Sequence, residues 1–313
     1  MGLSTKGPDG PQTGRKKGGV IIGFRERGKP YITNSHICPV LDERVGLRLE
    51  SLREAIDRLS ISGRVPQVEI SATDNVVTLV LRHLEPLNPD DLEILRGYGA
   101  EQDFEIYLQP GGPDSVHHIN GRDVLLDYRL NDVTLSFLPS DFTQVNARIN
   151  QKMVARAIEL LALQNEDVLA DMFCGIGNFS LPAARHAGEV LGVEGDAGLV
   201  ERAQRNAQAN GITNARFETA NLADPEMLAG LSLVSANKLL LDPPRSGAIE
   251  LLANLPLSNI GRIVYVSCNP VTFARDAALL VNEGGFELVE TGILDMFPQT
   301  AHVESLSLFV RAR

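Results

Sequence analysis

From residue 146 to the C-terminus, short apolar strand patterns alternate with helical ones, and this alternation constrains the fold more than any other feature of the chain. Periodicity predicts a helix over 147–163, a strand over 168–173, a helix from Asn178, a strand over 189–194 and a helix over 197–210. Strands follow near 216–219, at 238–241 and at 262–266, and the last leads into a helix across 271–283. Strands separated by helices of about 10 to 15 residues predict a parallel, doubly wound sheet with right-handed crossovers. In such sheets ligands sit at the carboxyl ends of the strands. The final patterns, 286–294 and 303–311, have only a short connection, which predicts a terminal antiparallel pair.

Upstream the texture differs. Residues 1–18 are Gly, Pro and charge without periodicity and read as a disordered tail. Between Gly19 and Pro139 short strand patterns dominate, with helical patterns only near 42–60 and 89–98, so a smaller α+β domain rich in antiparallel sheet is expected. The predicted organisation is a tail (1–18), an α+β central domain (19–140) and an α/β domain (141–313).

The chain has 313 residues, 43% hydrophobic and 22% charged, which excludes disorder over most of its length. Its longest apolar runs, 262–268 and 238–244, fall far short of the roughly 20 residues a bilayer requires. The N-terminus lacks the apolar core of a secretory signal, and a cytoplasmic protein with no membrane partner is expected. Net charge is −11, which argues against indiscriminate nucleic-acid binding, although residues 1–30 hold seven Lys or Arg against two acids. The three cysteines, Cys38, Cys174 and Cys268, include no CxxC pair, so neither a disulfide framework nor a four-thiolate metal site is expected.

Four blocks fall at predicted carboxyl ends of strands. In the first, Asp171-Met-Phe-Cys-Gly-Ile-Gly-Asn-Phe179, Gly175 and Gly177 would let backbone approach a ligand at a helix start. The second, Leu191-Gly-Val-Glu194, ends in an acid placed to accept bonds from ribose hydroxyls. Because the glycine turn lacks the third, phosphate-cradling glycine of the dinucleotide fingerprint, S-adenosylmethionine fits better than NAD. The third, Leu239-Leu-Leu-Asp-Pro-Pro-Arg-Ser-Gly247, delivers Asp242 into a rigid Pro-Pro turn. The fourth, Val264-Tyr-Val-Ser-Cys-Asn-Pro270, ends in Cys268 before a helix, where a thiol can act as a nucleophile; a lone cysteine beside a buried strand is more commonly a small core hydrophobe. Cys174, inside the glycine turn, reads as packing.

Taken in this order, the four blocks resemble the RNA uracil-C5 methyltransferase family, which makes 5-methyluridine in transfer and ribosomal RNA. The likeness runs from about Gly23 to Arg313 and includes 141-DFTQVN-146, the segment VSCNPVTFARD and the terminal LDMFPQTAHVESLSLF. Within the family the wording is most similar to the bacterial 23S ribosomal RNA enzymes. The resemblance implies a class I, Rossmann-like S-adenosylmethionine-dependent methyltransferase domain. It further implies that Gln144, Phe173, Asn178, Glu194, Asn221 and Asp242 contact S-adenosylmethionine, Asn221 on the shorter match TANLAD. Cys268 matches the family nucleophile and Glu304, in HVES, its general base. Arg275 and Asp276 complete the family segment with no role derivable from sequence. The substrate base must be unstacked, and Phe142 and Phe297 are candidate stacking partners.

Related ribosomal enzymes hold a four-iron cluster on four cysteines, of which only Cys38, in His36-Ile-Cys-Pro-Val-Leu41, has a counterpart here; the cluster is not expected. Nor is the relatives' small N-terminal β-barrel expected within this chain. The alternatives are a transfer-RNA uracil-C5 methyltransferase and a non-catalytic RNA-binding or assembly protein that keeps the fold. An exocyclic-nitrogen methyltransferase is disfavoured because Arg245 stands where [ND]PP[YFW] turns carry an aromatic.

Overall fold

The computed structural model describes residues 12–16, 19–25, 31–122, 124–231, 235–300 and 302–312. By internal contacts the chain divides into two compact units, one of Met1–Tyr128 with Phe137–Ala147, the other of Arg129–Ser136 with Arg148–Arg313.

The first unit is built on a six-stranded sheet. Its strands are β1 (Gln12–Lys16), β2 (Gly19–Gly23), β3 (Gln67–Ala72), β4 (Val77–Arg82), β5 (Phe104–Gln109) and β6 (His117–His118), in the order β2-β1-β3-β4-β5-β6. All pairs are antiparallel except β4 with β5. That parallel pair needs a crossover, supplied by α3 (Pro89–Gln102). Its start was legible: Asn88 accepts from the Asp91 amide at 2.8 Å, Asp91 accepts back from the Asn88 amide at 3.1 Å, and Pro89 takes the first helical position. The helical pattern near 42–60 resolves into α1 (Glu43–Gly46) and α2 (Leu49–Asp57). β1 corrects the reading of residues 12–16 as tail, because Gln12–Lys16 pairs with β2 through its backbone and no side-chain alternation announces it. The rest of that tail, and residues 26–30 of the basic arm, lie outside the described residues.

β7 (Leu126–Leu130) and β8 (Val133–Phe137) form a separate two-stranded sheet. After α4 (Ala147–Leu161) comes the expected alternation: β9 (Val168–Met172), α5 (Ser180–Ala184), β10 (Glu189–Glu194), α6 (Ala197–Ala209), β11 (Ala215–Thr219), α7 (Pro225–Gly230), β12 (Lys238–Leu241), α8 (Ile249–Asn254), β13 (Arg262–Ser267) and α9 (Pro270–Asn282). β14 (Phe286–Leu294) and β15 (Glu304–Arg311) close the chain.

These strands make a seven-stranded sheet ordered β11-β10-β9-β12-β13-β15-β14, in which β15 alone runs against the others, so that its pairings with β13 and β14 are antiparallel and the rest are parallel. This is the α/β, Rossmann-like methyltransferase fold with a terminal antiparallel pair. β9, β12 and β13 are buried nearly throughout because a parallel sheet is covered on both faces. Ala170, Met172, Leu191, Val193, Leu239, Leu241, Ile263 and Tyr265 share one core cluster with Phe286 and Phe309. The strand order reverses between β9 and β12, and that switch point opens a crevice at the carboxyl ends of the central strands.

Candidate active site

β9 ends in the turn that the sequence marked. Phe173 (φ 67), Gly175 (φ 54) and Gly177 (φ 95) all have left-handed backbone, and the amides of Phe173 and Cys174 both bond to the Val193 carbonyl, at 2.9 and 3.1 Å. The two glycines do different things. A Cβ on Gly175 would meet open space, whereas one on Gly177 would lie 2.9 Å from Leu181, so Gly177 lets the turn close on α5.

Glu194, at the end of β10, ties the neighbouring loops together. Its Oε2 accepts from the Gly175 amide at 3.2 Å, and its Oε1 accepts from the amides of Gly195 (2.7 Å) and Asp196 (3.3 Å). Phe173, Glu194 and Asn221 line a cleft of about 340 Å³ whose far wall is Pro244 with Ser246, Gly247 and Ala248. That volume suits a small cofactor. Of the other residues expected at the cofactor, Asn178 exchanges amide hydrogen bonds with buried Asn150, at 2.9 and 3.0 Å. Asp242 follows β12, where its amide reaches the Met172 carbonyl at 3.5 Å. Gln144 is half-buried in the other unit.

Asp171 is fully buried at the end of β9. Its Oδ2 accepts from Ser180 Oγ, while its Oδ1 is buried with no hydrogen-bond partner. Burial, and then the charge of Asp242, push its carboxyl up to about 7. Sequence reasoning gave Asp171 no role, although an acid inside the apolar strand Val-Leu-Ala-Asp-Met was the signal. Asn206 was missed as well. From α6 it binds the Ser136 backbone and, through Nδ2, the Ile176 carbonyl at 3.2 Å, inside the glycine turn.

The second group lies at the ends of β13 and β15. Their antiparallel register pairs Ser267 with Ser305, and Cys268 and Glu304 are the residues that adjoin that last pair on the two chains. Cys268 is half-buried and Glu304 is 5% exposed. Burial pushes Glu304 up to about 8, Asp242 adds to the rise, and Arg245 opposes it. The Cys268 thiol is raised by burial and by the charges of Glu304 and Asp242, again opposed by Arg245. Thus thiol, carboxyl, Asp242 and Arg245 act on one another, and Arg245 is a member that the sequence flagged only as a departure from another motif. Phe297, half-buried, packs edge-on against His302 at 5.9 Å between ring centroids, and Phe142 is 52% exposed in the other unit.

Cys174 is 4% exposed, and burial, with Asp171 and Glu194 nearby, pushes its thiol well up. A Cβ on Gly192 would lie 3.0 Å from its sulfur and 2.5 Å from Phe217, so this thiol is part of a tight strand crossing. Cys38 is buried in the first unit. The chain's three cysteines do not fit a four-thiolate cluster, and among the described residues no group of three or more His, Cys, Asp or Glu is placed to hold a metal ion. No helix among the described residues is long and apolar enough to cross a membrane.

A family model described as tRNA (Uracil-5-)-methyltransferase matches residues 74–312. The chain is similar to the 23S rRNA (uracil(1939)-C(5))-methyltransferase RlmD of Legionella pneumophila (strain Lens), 46% identical over 299 residues that cover 94% of this chain and 67% of that one. It is likewise 46% identical, over 310 residues, to the protein of the same name from Xanthomonas campestris pv. campestris (strain 8004), covering 98% of this chain and 70% of that one. Among solved structures it is similar to the Pyrococcus abyssi tRNA (uracil-54, C5)-methyltransferase in complex with S-adenosyl-L-homocysteine. The TM-score there is 0.73 at 27% identity, over 96% of this chain and 76% of that one. The M. jannaschii tRNA m1G37 methyltransferase shares the fold alone, with a TM-score of 0.56 at 14% identity over 86% of this chain and 78% of that one.

Proposed function

The chain belongs to the tRNA (uracil-5-)-methyltransferase family, and from that premise we propose that it methylates C5 of a uridine in 23S ribosomal RNA through a covalent adduct on Cys268. It is an S-adenosylmethionine-dependent enzyme by family, and the cleft at the strand-order reversal fits that cofactor. Phe173, Glu194 and Asn221 would hold it there, joined by Asn178 and Asp242 on the strength of the resemblance. When bound, it supplies an electrophilic methyl group on a sulfonium.

The observation that carries the reading is the placement of Cys268 and Glu304 on facing strand ends. Uracil C5 is a poor nucleophile until something adds at C6. The Cys268 thiolate forms a bond to C6, and the C5–C6 π pair moves to C5 and O4 as an enolate; C5 then bonds to the methyl carbon as that carbon's bond to sulfur breaks, the bonding pair staying on sulfur, so that the sulfonium departs as a neutral thioether. Glu304 carboxylate then accepts the C5 proton. The electron pair of the broken C–H bond restores C5=C6, and the C6–S bond breaks to return the thiolate. A carboxyl raised to about 8 is a stronger base, once ionised, than an ordinary one. Arg245 favours the ionised thiol and offsets the negative charge of Glu304 and Asp242. The proposed setting is the cytosol.

The high identity to enzymes named for 23S ribosomal RNA favours that substrate. The likeness to a transfer-RNA enzyme motivates the second one. Both are tested by incubating the protein with methyl-labelled S-adenosylmethionine and unmodified transcripts of each RNA, then analysing nucleosides. The reading predicts labelled 5-methyluridine in 23S ribosomal RNA. Label only in transfer RNA would move the substrate, and label in neither, with cofactor bound, would point to the non-catalytic alternative.

A further inference from the structure

The family segment that ends in Arg275-Asp276 received no role from the sequence, and its geometry supplies one. Asp276 is fully buried at the middle of α9. Its Oδ2 accepts from the Ala248 amide and the Tyr265 hydroxyl, each at 2.6 Å, and its Oδ1 from Arg275 Nε at 2.8 Å. Arg275 in turn donates to the Ser246 carbonyl at 2.8 Å, while Asn269 and Thr272 donate to the Arg245 carbonyl at 2.9 and 3.2 Å. Four residues of α9 and its cap therefore grip the backbone of the 245–248 turn.

The turn is shaped for the grip. Gly247 has φ 83, and a Cβ there would lie 2.5 Å from Asp276 Oδ2 and 2.6 Å from an Arg275 nitrogen. A buried carboxylate is a costly way to anchor a helix, since an apolar side chain of similar volume would pack as well. It is suited to holding a backbone N–H and an arginine in a fixed arrangement. On one side this turn walls the cleft that holds Phe173, Glu194 and Asn221; on the other it carries Arg245.

We propose that Asp276 is a positioning residue for methyl transfer, which clamps the 245–248 turn to α9 and so fixes both the cofactor wall and Arg245. The proposal rests on the reading of the site given above. Asp276 touches no reacting atom; it acts through Ala248 directly and through Arg275 on Ser246.

The test compares Asp276→Asn and Arg275→Ala with the wild-type protein and with Leu280→Val, which thins the core beneath the same helix one turn beyond Asp276 and leaves the hydrogen bonds to the 245–248 backbone in place. Two readouts are taken without RNA: S-adenosylmethionine affinity by calorimetry, and the pH dependence of iodoacetamide alkylation followed on the Cys268 peptide. The groups facing Cys268 are Glu304 on β15, Asp242 after β12 and Arg245 on the turn. Arg275→Ala is expected to weaken cofactor binding roughly fivefold and Asp276→Asn roughly tenfold, as loss of charge-assisted hydrogen bonds implies. Both should move the alkylation midpoint to higher pH, because a released Arg245 no longer opposes the carboxylates. Leu280→Val should lower the melting temperature and change neither readout. If the clamp variants also lose only melting temperature, Asp276 is structural and the proposal is overturned. Should Asp276→Asn fail to fold, Arg275→Ala decides the matter alone, since its side chain is 43% exposed. Failure of the wild-type protein to methylate RNA would overturn the function while leaving both readouts intact.

Discussion

Two strands of one sheet, β9 and β13, each end in a cysteine-bearing turn before a helix, and the turns have opposite characters. At β9, Cys174 is sealed beneath Gly192 and Phe217, and its neighbours Asp171 and Glu194 add negative charge. At β13, Cys268 is half-open, is reached by the charge of Glu304, and has Arg245 to offset the carboxylates. The contrast teaches that a strand-end cysteine is given its task by the loops around it. On the proposed reading, backbone approach to the cofactor falls to the first turn and covalent chemistry to the second.

The sharpest way to break the comparison is to remove each thiol. Cys268→Ala is expected to abolish both methyl transfer and RNA adduct, a loss of about 10⁴-fold or more in turnover, measured by label incorporation. A variant with appreciable activity would dissolve the distinction. Next in size is Glu304→Gln, which should cut turnover by roughly 10²- to 10⁴-fold while letting Cys268 still add to the base. A methylated covalent complex should then accumulate and be visible as a shifted band in denaturing electrophoresis.

pH sharpens the same contrast. Methyl transfer should rise from pH 6 to 9 as Glu304 ionises near 8 and the Cys268 thiolate grows. Stability should run the other way. The folded-state values of Asp171, about 7, and Glu304, about 8, lie above the ordinary range near 4. Their contribution to stability is complete at pH below the unfolded values and is lost as pH climbs through 7 and 8. Melting curves should therefore show a lower midpoint at pH 9 than at pH 6, and Glu304→Gln should flatten part of that fall. The smallest effect belongs to Cys174→Ala, expected to cost about 1 kcal/mol in denaturant unfolding and to leave turnover within about twofold.

Much of this was legible in sequence because the chemistry demands particular residue types at strand ends. β10 and β12 fall on the expected residues, and Cys268, Glu304 and Asp242 were named from motif position. What escaped depends on distance across the chain. α8 has only six residues and no side-chain cap, too short for periodicity to register. The reciprocal amide pair of Asn150 with Asn178 and the grip of Asp276 on Ala248 each join residues 28 apart, which no local pattern records. In the first unit β2 to β5 were read correctly in kind, whereas β1 and the two-residue β6 were not, being too short or too polar to show an alternating pattern.

The most direct test of the account is the mass of the protein after incubation with S-adenosylmethionine and a 5-fluorouridine-containing fragment of 23S ribosomal RNA, followed by mapping of the cross-linked peptide. Fluorine at C5 cannot leave as a proton, so a C5 methyltransferase stalls as its covalent complex. The account predicts one adduct, on Cys268. An adduct on Cys174, or none from a protein that demonstrably methylates uridine in the same RNA, would contradict it.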